Sequence, residues 1–241
     1  MPDLVEPPAD PSNRWTRRMK PDVTSVVEDP DLVEKRRTQI VAAATELFAE
    51  QGFHRTTIKD IAKRAGFSSG LVYLYVREKE DVLLLVLLRV LADHRAELPA
   101  SIEGIADPLD RLVRLVEAFT RIVDRHRAAT VIAYRSVHLL TPDRRLLVQD
   151  REREVADIVA ETLVACMKAG LVRKLDVDVV THQIVMIAHG WALKSWWFKG
   201  RTTLETYVAA NLDVTMAGLT TPAGAERWHE IEAACRAEAT P

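Results

Sequence analysis

The chain has 241 residues, 48% hydrophobic and 28% charged, with a formal net charge of -2. That length supports a genuine core in one large or two small domains, and the near-zero charge excludes a protein that coats nucleic acid by bulk charge. Cys166 and Cys235 stand far apart with no ligand-like spacing, which argues against a disulfide scaffold or zinc site and for a reducing compartment.

Residues 1–30 hold six of the eleven prolines, at 2, 7, 8, 11, 21 and 30. Such a stretch buries too little apolar surface to offset its ordering entropy and reads as a disordered arm. Its Arg14, Arg17, Arg18 and Lys20 form a basic cluster of the kind that enters a minor groove, although a solvated tail is the plainer reading. The N-terminus carries acids and prolines instead of the basic-then-apolar order of a signal peptide, and the longest apolar run, Val82 to Leu88, is too short to span a membrane. A cytoplasmic protein with no membrane partner is expected.

From Asp31 onward, apolar residues recur at three and four, and no strand alternation competes. An all-α fold is predicted: a helix-turn-helix domain over 31–80, a helical domain over 81–220 and a C-terminal tail over 221–241, which is either loose or one more helix over Glu226 to Arg236. Ile40, Ala44, Leu47 and Phe48 make one stripe that Gly52 ends. Thr57 and Asp60 form a capping-box-like start for a short helix ending near Ala65-Gly66. Ser68 or Ser69 caps another through Val76, and a longer helix runs from about Glu78 to Leu98. Further helices fall near 108–126, 128–140, 143–169, 177–198 and 203–218, punctuated by Pro108, Pro142, Gly170 and Gly200.

Two short helices joined by Ala65-Gly66-Phe67 have the spacing of a helix-turn-helix. With Ile58, Ile61, Ala62, Val72 and Val76 inward, Ser68, Ser69, Gly70, Leu71 and Tyr73 face outward. An outward leucine and tyrosine suit thymine methyls and phosphates better than water. Tyr75 is assigned a phosphate as well. Residues 35–81 carry nine Lys or Arg against six Asp or Glu, a local +3, which agrees with double-stranded DNA as partner.

The stretch "IVAAATELFAEQGFHRTTIKDIAKRAGFSSGLVYLYVREKEDVL" from Ile40 resembles the N-terminal domain of TetR-family repressors. Ala44, Leu47-Phe48, Gly52-Phe53, Thr56-Thr57-Ile58, Ile61-Ala62, Ala65-Gly66, Tyr73 and Lys79 stand in the family's order. The resemblance implies an all-helical dimer, a recognition helix at 68–74 and a divergent ligand-binding C-terminal domain. Carried over by position, Thr56, Thr57, Ser68, Ser69, Leu71, Tyr73, Tyr75 and Lys79 contact DNA, with Arg36, Arg37 and Arg55 as phosphate partners. Leu74 and Glu78 depart from the family pattern, which commonly has an aromatic or histidine at the first and a capping Ser or Asn at the second.

Two reading heads match two half-sites of a palindrome, so a homodimer is expected. Its interface is assigned to Ile184, Leu204, Tyr207, Val208, Asn211, Leu212 and Met216, which recur at helical spacing. An effector pocket is assigned to Phe119, Tyr134, Val137, His138, Leu163, Met167, Met186, Trp191 and Trp197, apolar and aromatic residues with few polar tips. The aromatic segment Trp191–Phe198 resembles family members that sense fatty acyl-CoA. Arg121, Arg125, Arg127, Arg135 and Lys194 are candidates for an anionic head group, so an apolar acid or its CoA ester is the expected effector. The alternative is a DNA-binding dimer without an effector.

No enzyme is expected, nor any cofactor or metal. His229-Glu230 is followed by Ala233 where a zinc motif needs histidine, and neither a Gly-x-Ser-x-Gly elbow nor a phosphate-binding glycine loop occurs.

Overall fold

The computed structural model describes residues 23–238; the four basic residues of the expected arm lie outside them. Helix α1 (Pro30–Gln51) begins where the Asp29 carboxylate accepts from the Asp31 and Leu32 amides, with Pro30 in the first turn, and ends at Gly52. Helix α2 (Ile58–Ala65) opens on a full capping box between Thr57 and Asp60. It stops at Gly66, whose φ of 74° is open to glycine at little cost, and the Phe67 amide turns back onto the Ala62 carbonyl at 2.8 Å. Helix α3 (Ser69–Val72) starts on the Ser68 hydroxyl, which accepts from the Leu71 amide.

Helix α4 (Lys79–Ser101) is about 34 Å long at 1.5 Å per residue, and it belongs to two cores. Its first half, with Val82 to Leu87, packs with α1–α3. Leu98 near its end joins a second core formed by α5 (Pro108–Arg125), α7 (Pro142–Lys168), α8 (Val177–Leu193) and α10 (Leu204–Leu219). The first core also takes Ala129 and Ile132 from α6 (Arg127–Ser136) and Leu147 and Val148 from α7. The two domains are therefore welded along α4, α6 and α7.

Helix α3 ends at Val72 where the expected helix ran through Val76, and two further helices differ from expectation. The helix predicted over 177–198 breaks at Lys194, beyond which a single turn, α9 (Ser195–Phe198), carries the exposed Trp196 and Trp197. The helix predicted over 128–140 ends at Ser136 and tightens into a 3₁₀ turn over Val137–Leu139. The last segment, open by sequence between one more helix and a loose tail, is helix α11 (Pro222–Glu238), with Trp228 and Ile231 buried in the second core. Arg227 pairs with Asp107, the cap of α5, at 2.8 Å. Gly224 lets α11 start against the Leu171 carbonyl, where an added Cβ would stand 1.9 Å from the oxygen. The described residues contain no strand, only an isolated bridge between Val172 and Thr220.

Candidate functional site

The turn Gly66-Phe67-Ser68 sets α3 against α2 and leaves Thr57, Ser68, Gly70 and Tyr73 exposed, Tyr73 by 51%. Ser69 and Leu71 are half-buried, and Leu71 also packs on the first core. Arg55 is exposed while its Nε donates to the Gln51 carbonyl. The exposed Lys59 and Lys63 of α2 and Arg77 add positive charge that sequence reasoning left unassigned. Their spacing relative to the capping box was the available signal.

Four of the residues assigned to DNA have structural partners instead. Thr56 is fully buried and its hydroxyl donates to the Gly52 carbonyl at 2.9 Å. Tyr75 is buried in the first core, so its hydroxyl cannot reach a phosphate as expected; only its backbone carbonyl is used, by Arg37. The Arg37 guanidinium also donates to the Val23 carbonyl at 2.6 Å, strapping the segment before α1 to the end of the reading unit. Lys79 sends its ammonium back to the carbonyls of Phe53, His54 and Thr56 at 2.7, 3.3 and 2.8 Å. Arg36 is partly committed too, bonding Gln39 and lying 5.1 Å over the Phe67 ring.

A cavity of about 630 Å³ lies between α4, α5, α6, α7 and α8. Leu87, Val90, Leu91, Phe119, Val155 and Val185 make much of its wall, and its polar lining includes His94, Thr130, Gln149, Glu152, Asp157, Thr181 and His189. Of the nine residues expected there, only Phe119 and Tyr134 line it. Val137 and His138 sit in the 3₁₀ turn, Val137 against the first core. Leu163 and Met167 belong to the packing among α5, α7 and α8. Met186 touches the cavity only through the Tyr134 hydroxyl, 3.4 Å from its sulfur. Trp191 is buried, its indole N–H donating to Asp124, and Trp197 is half-exposed under Arg201. A periodic apolar and aromatic stripe does not distinguish a wall from a filled core, and by sequence each of these seven reads as readily as core.

The cavity's titratable groups are shifted by burial. His189, whose Nδ1 lies 2.9 Å from the Tyr134 hydroxyl, is pushed down from 6.5 to about 4, chiefly by desolvation and then by His94 and His182. Desolvation raises Glu152, and raises Asp157 with help from Glu161, Asp178 and Glu154. A histidine held neutral in the fold is protonated first in the unfolded chain. Its contribution is therefore complete above about pH 6.5 and declines as pH falls toward 4. We expect His189→Phe to flatten the fall in Tm between neutral pH and about pH 5. An unchanged slope would show that His189 titrates normally.

The expected dimer residues also move. Ile184, Val208, Leu212 and Met216 are buried in the chain's own second core and present nothing to a partner. Leu204 packs on that core, Tyr207 donates to the Ile187 carbonyl and Asn211 to the Tyr207 carbonyl. The apolar stripe was read correctly as a helix face, but it is the inward one. On the outward face of α10, Ala209, Ala210, Asp213, Val214 and Ala217 are exposed, Val214 by 74%.

Two family models match this chain: "Bacterial regulatory proteins, tetR family" over residues 40–86 and "Tetracyclin repressor-like, C-terminal domain" over residues 106–219. The HTH-type transcriptional regulator HbdR of Aromatoleum sp. (strain CIB) is 45% identical over 190 residues, covering 79% of this chain and 83% of HbdR. The chain belongs to the TetR family. As a TetR-family protein it is a DNA-binding transcriptional regulator and not an enzyme, with its helix-turn-helix at α2–α3. The ketosteroid transcriptional regulator KstR2 of Mycobacterium tuberculosis shares the TetR fold at a TM-score of 0.66 and 28% identity, over 77% of this chain and 95% of KstR2. FadR of Bacillus subtilis, solved with stearoyl-CoA, shares it at a TM-score of 0.65 and 20% identity, over 75% of this chain and 98% of FadR. The second likeness speaks for the fold alone. Among the described residues no helix is long and apolar enough to cross a membrane, and no group of three or more metal-ligating side chains converges.

Proposed function

We propose that this TetR-family chain is a homodimeric repressor in the cytoplasm that leaves a palindromic operator when an acyl-CoA thioester fills the cavity between α4 and α8. The observation that carries this reading is the composition of the cavity wall. It is largely apolar, and it is built in part from α4, the helix that also packs on the reading unit. An effector that binds the released arrangement better than the DNA-bound one would shift α4 and move the two heads out of register with half-sites about one helical turn apart.

The charge of the wall favours a thioester over a free acid. Among the described residues Arg153 is the one Lys or Arg on it, and Arg153 also pairs with Asp150. The cations expected to hold a carboxylate are elsewhere: Arg121 meets Glu205, Arg125 meets Glu97 and Arg127 meets Asp124, while Arg135 and Lys194 are likewise absent from the wall. A buried free carboxylate would stand near Glu152 and Asp157 with only Arg153, already paired with Asp150, to offset it, whereas an acyl chain and its thioester are uncharged. Stearoyl-CoA, in complex with which FadR was solved, is a molecule of this chemical class.

On DNA, we assign base reading to Ser68, Ser69, Gly70 and Leu71, and phosphates to Arg55, Thr57 and Tyr73. The outward face of α10, with Ala209, Ala210, Asp213, Val214 and Ala217, is the surface for the second copy. The test is a binding titration on the DNA upstream of the protein's own coding region, with and without stearoyl-CoA, backed by selection from random DNA. Release by the thioester supports the reading. Binding that ignores every acyl-CoA tried removes the effector and leaves a constitutive DNA-binding dimer. Tyr73→Phe should weaken all DNA sites alike by a few-fold, while Leu71→Ala should reduce the ratio of operator to random binding about tenfold. Equal losses on both DNAs for Leu71→Ala would take base reading away from it.

A further inference from the structure

One part of the cavity wall is a row of three rings. Phe119 lies beside both His94 and His189, with centroid separations of 4.6 and 5.8 Å, and all three line the cavity. His94 is 3% exposed, and its Nδ1 sits 2.8 Å from the Val90 carbonyl oxygen. A carbonyl only accepts, so Nδ1 carries the hydrogen. Burial holds the ring below the ordinary imidazole pKa against the opposing Val90 bond, leaving it neutral with a lone pair on Nε2. That nitrogen has no hydrogen-bond partner within the protein.

Thr181 supplies a second unmatched atom. A helical threonine ordinarily donates to the carbonyl one turn back, as Thr120 does to Val116 and Thr162 to Ile158. Thr181, 5% exposed and on the cavity wall, makes no such bond, and its Oγ1 is unpartnered. Thr181, Val185 and His189 follow one another at four-residue intervals on α8 and all face the cavity. Buried polar atoms left unmatched are destabilising, and since both belong to residues of the cavity wall, a ligand there can supply what they lack.

We propose that the effector carries a hydroxyl group on its buried hydrocarbon part, whose hydrogen is donated to His94 Nε2, while the Thr181 hydroxyl donates to an oxygen of the same ligand. This rests on the cavity being the effector site, as proposed above. Saturated hydrocarbon fills the space but leaves both atoms unmatched, so the wall discriminates between chains of equal length by their oxygen content.

Calorimetric titration of the full chain tests this with pairs of saturated and ω-hydroxylated acyl-CoA thioesters, taken from octanoyl to tetradecanoyl so that one length brings the hydroxyl to His94. The hydroxylated member should bind about tenfold more tightly at that length. His94→Phe should bring the ratio of the two affinities close to one, and Thr181→Val should lower it part of the way. Thr181→Val exchanges a hydroxyl for a methyl of like size and keeps the test open if His94→Phe fails to fold. Equal binding of both members at every length would assign the two atoms to ordered water and overturn the inference while leaving the effector site standing. No binding by either member would overturn both.

Discussion

Replacing Asp81 by alanine is expected to destabilise the folded protein by about 3 kcal/mol, read as a lower urea midpoint. Asp81 is 1% exposed, yet it joins two domains. One oxygen accepts the Arg77 and Glu78 amides at 2.7 and 3.3 Å, capping α4. The other receives the guanidinium of Arg144, from the first turns of α7, whose side chain is 19% exposed. Alanine removes the cap and leaves Arg144 with Glu78 alone, 2.9 Å away. That remaining partner and the residual exposure keep the cost at the lower end for a broken buried pair. Asp81→Asn retains a capping acceptor and should cost less. In the Asp81→Ala background, Arg144→Met should recover part of the loss, since no uncompensated guanidinium remains; strictly additive effects would show that the pair is not coupled. The same pair links the start of α4 to a helix that lines the cavity further along. Arg144→Met alone should therefore keep operator binding and blunt its release by acyl-CoA.

Lys79→Met is expected to lower stability by about 2 kcal/mol and to weaken DNA binding as a consequence. The resemblance places this lysine on a phosphate. Its ammonium instead gathers three carbonyls from the turn between α1 and α2 and lies 4.3 Å from the Phe53 ring centroid. Methionine keeps the unbranched stem and loses every donor, so Phe53, His54 and Thr56 present unmatched oxygens at the base of the reading unit. Thr57, which caps α2, follows directly and should lose its fixed position. Thermal unfolding with parallel titration on operator and random DNA separates the roles. A variant of full stability with weakened binding to both DNAs would return Lys79 to the phosphate backbone.

The parts legible in the sequence were those governed by local chemistry. Thr57 with Asp60, Gly66 and Ser68 mark helix ends by hydrogen bonds within a few residues, and the helices start or stop there. Long-range placement was not legible in the same way. Tyr75 and Tyr73 are two residues apart on a short irregular turn, and only packing of Val72 and Val76 against α1 and α4 decides that the first is buried and the second exposed. Ile184, Leu212 and Met216 form an apolar stripe whether it meets its own core or a second copy. His94 gave no signal because one histidine on an apolar helix is ordinary until the space beside it is known. Trp228 was missed for a related reason: most apolar residues of α11 are alanines, and two large buried side chains at three-residue spacing are enough to dock it.

The strap that Arg37 makes to Val23 has a practical bearing on how the protein can be handled. Val23 is buried, and the Val26 amide and Ser25 hydroxyl both bond the Leu74 carbonyl, at 2.9 and 3.0 Å. The polypeptide thus enters the fold alongside the end of the recognition helix. A fusion joined directly before Val23 would be tethered beside that helix end, where its bulk and charge would compete with the DNA contacts being measured. The opposite terminus leaves from α11, packed on α5 and α10 in the other domain. A reporter attached there stays clear of the reading unit, and comparing the two fusions on the same operator would reveal how much of an observed affinity belongs to the tag.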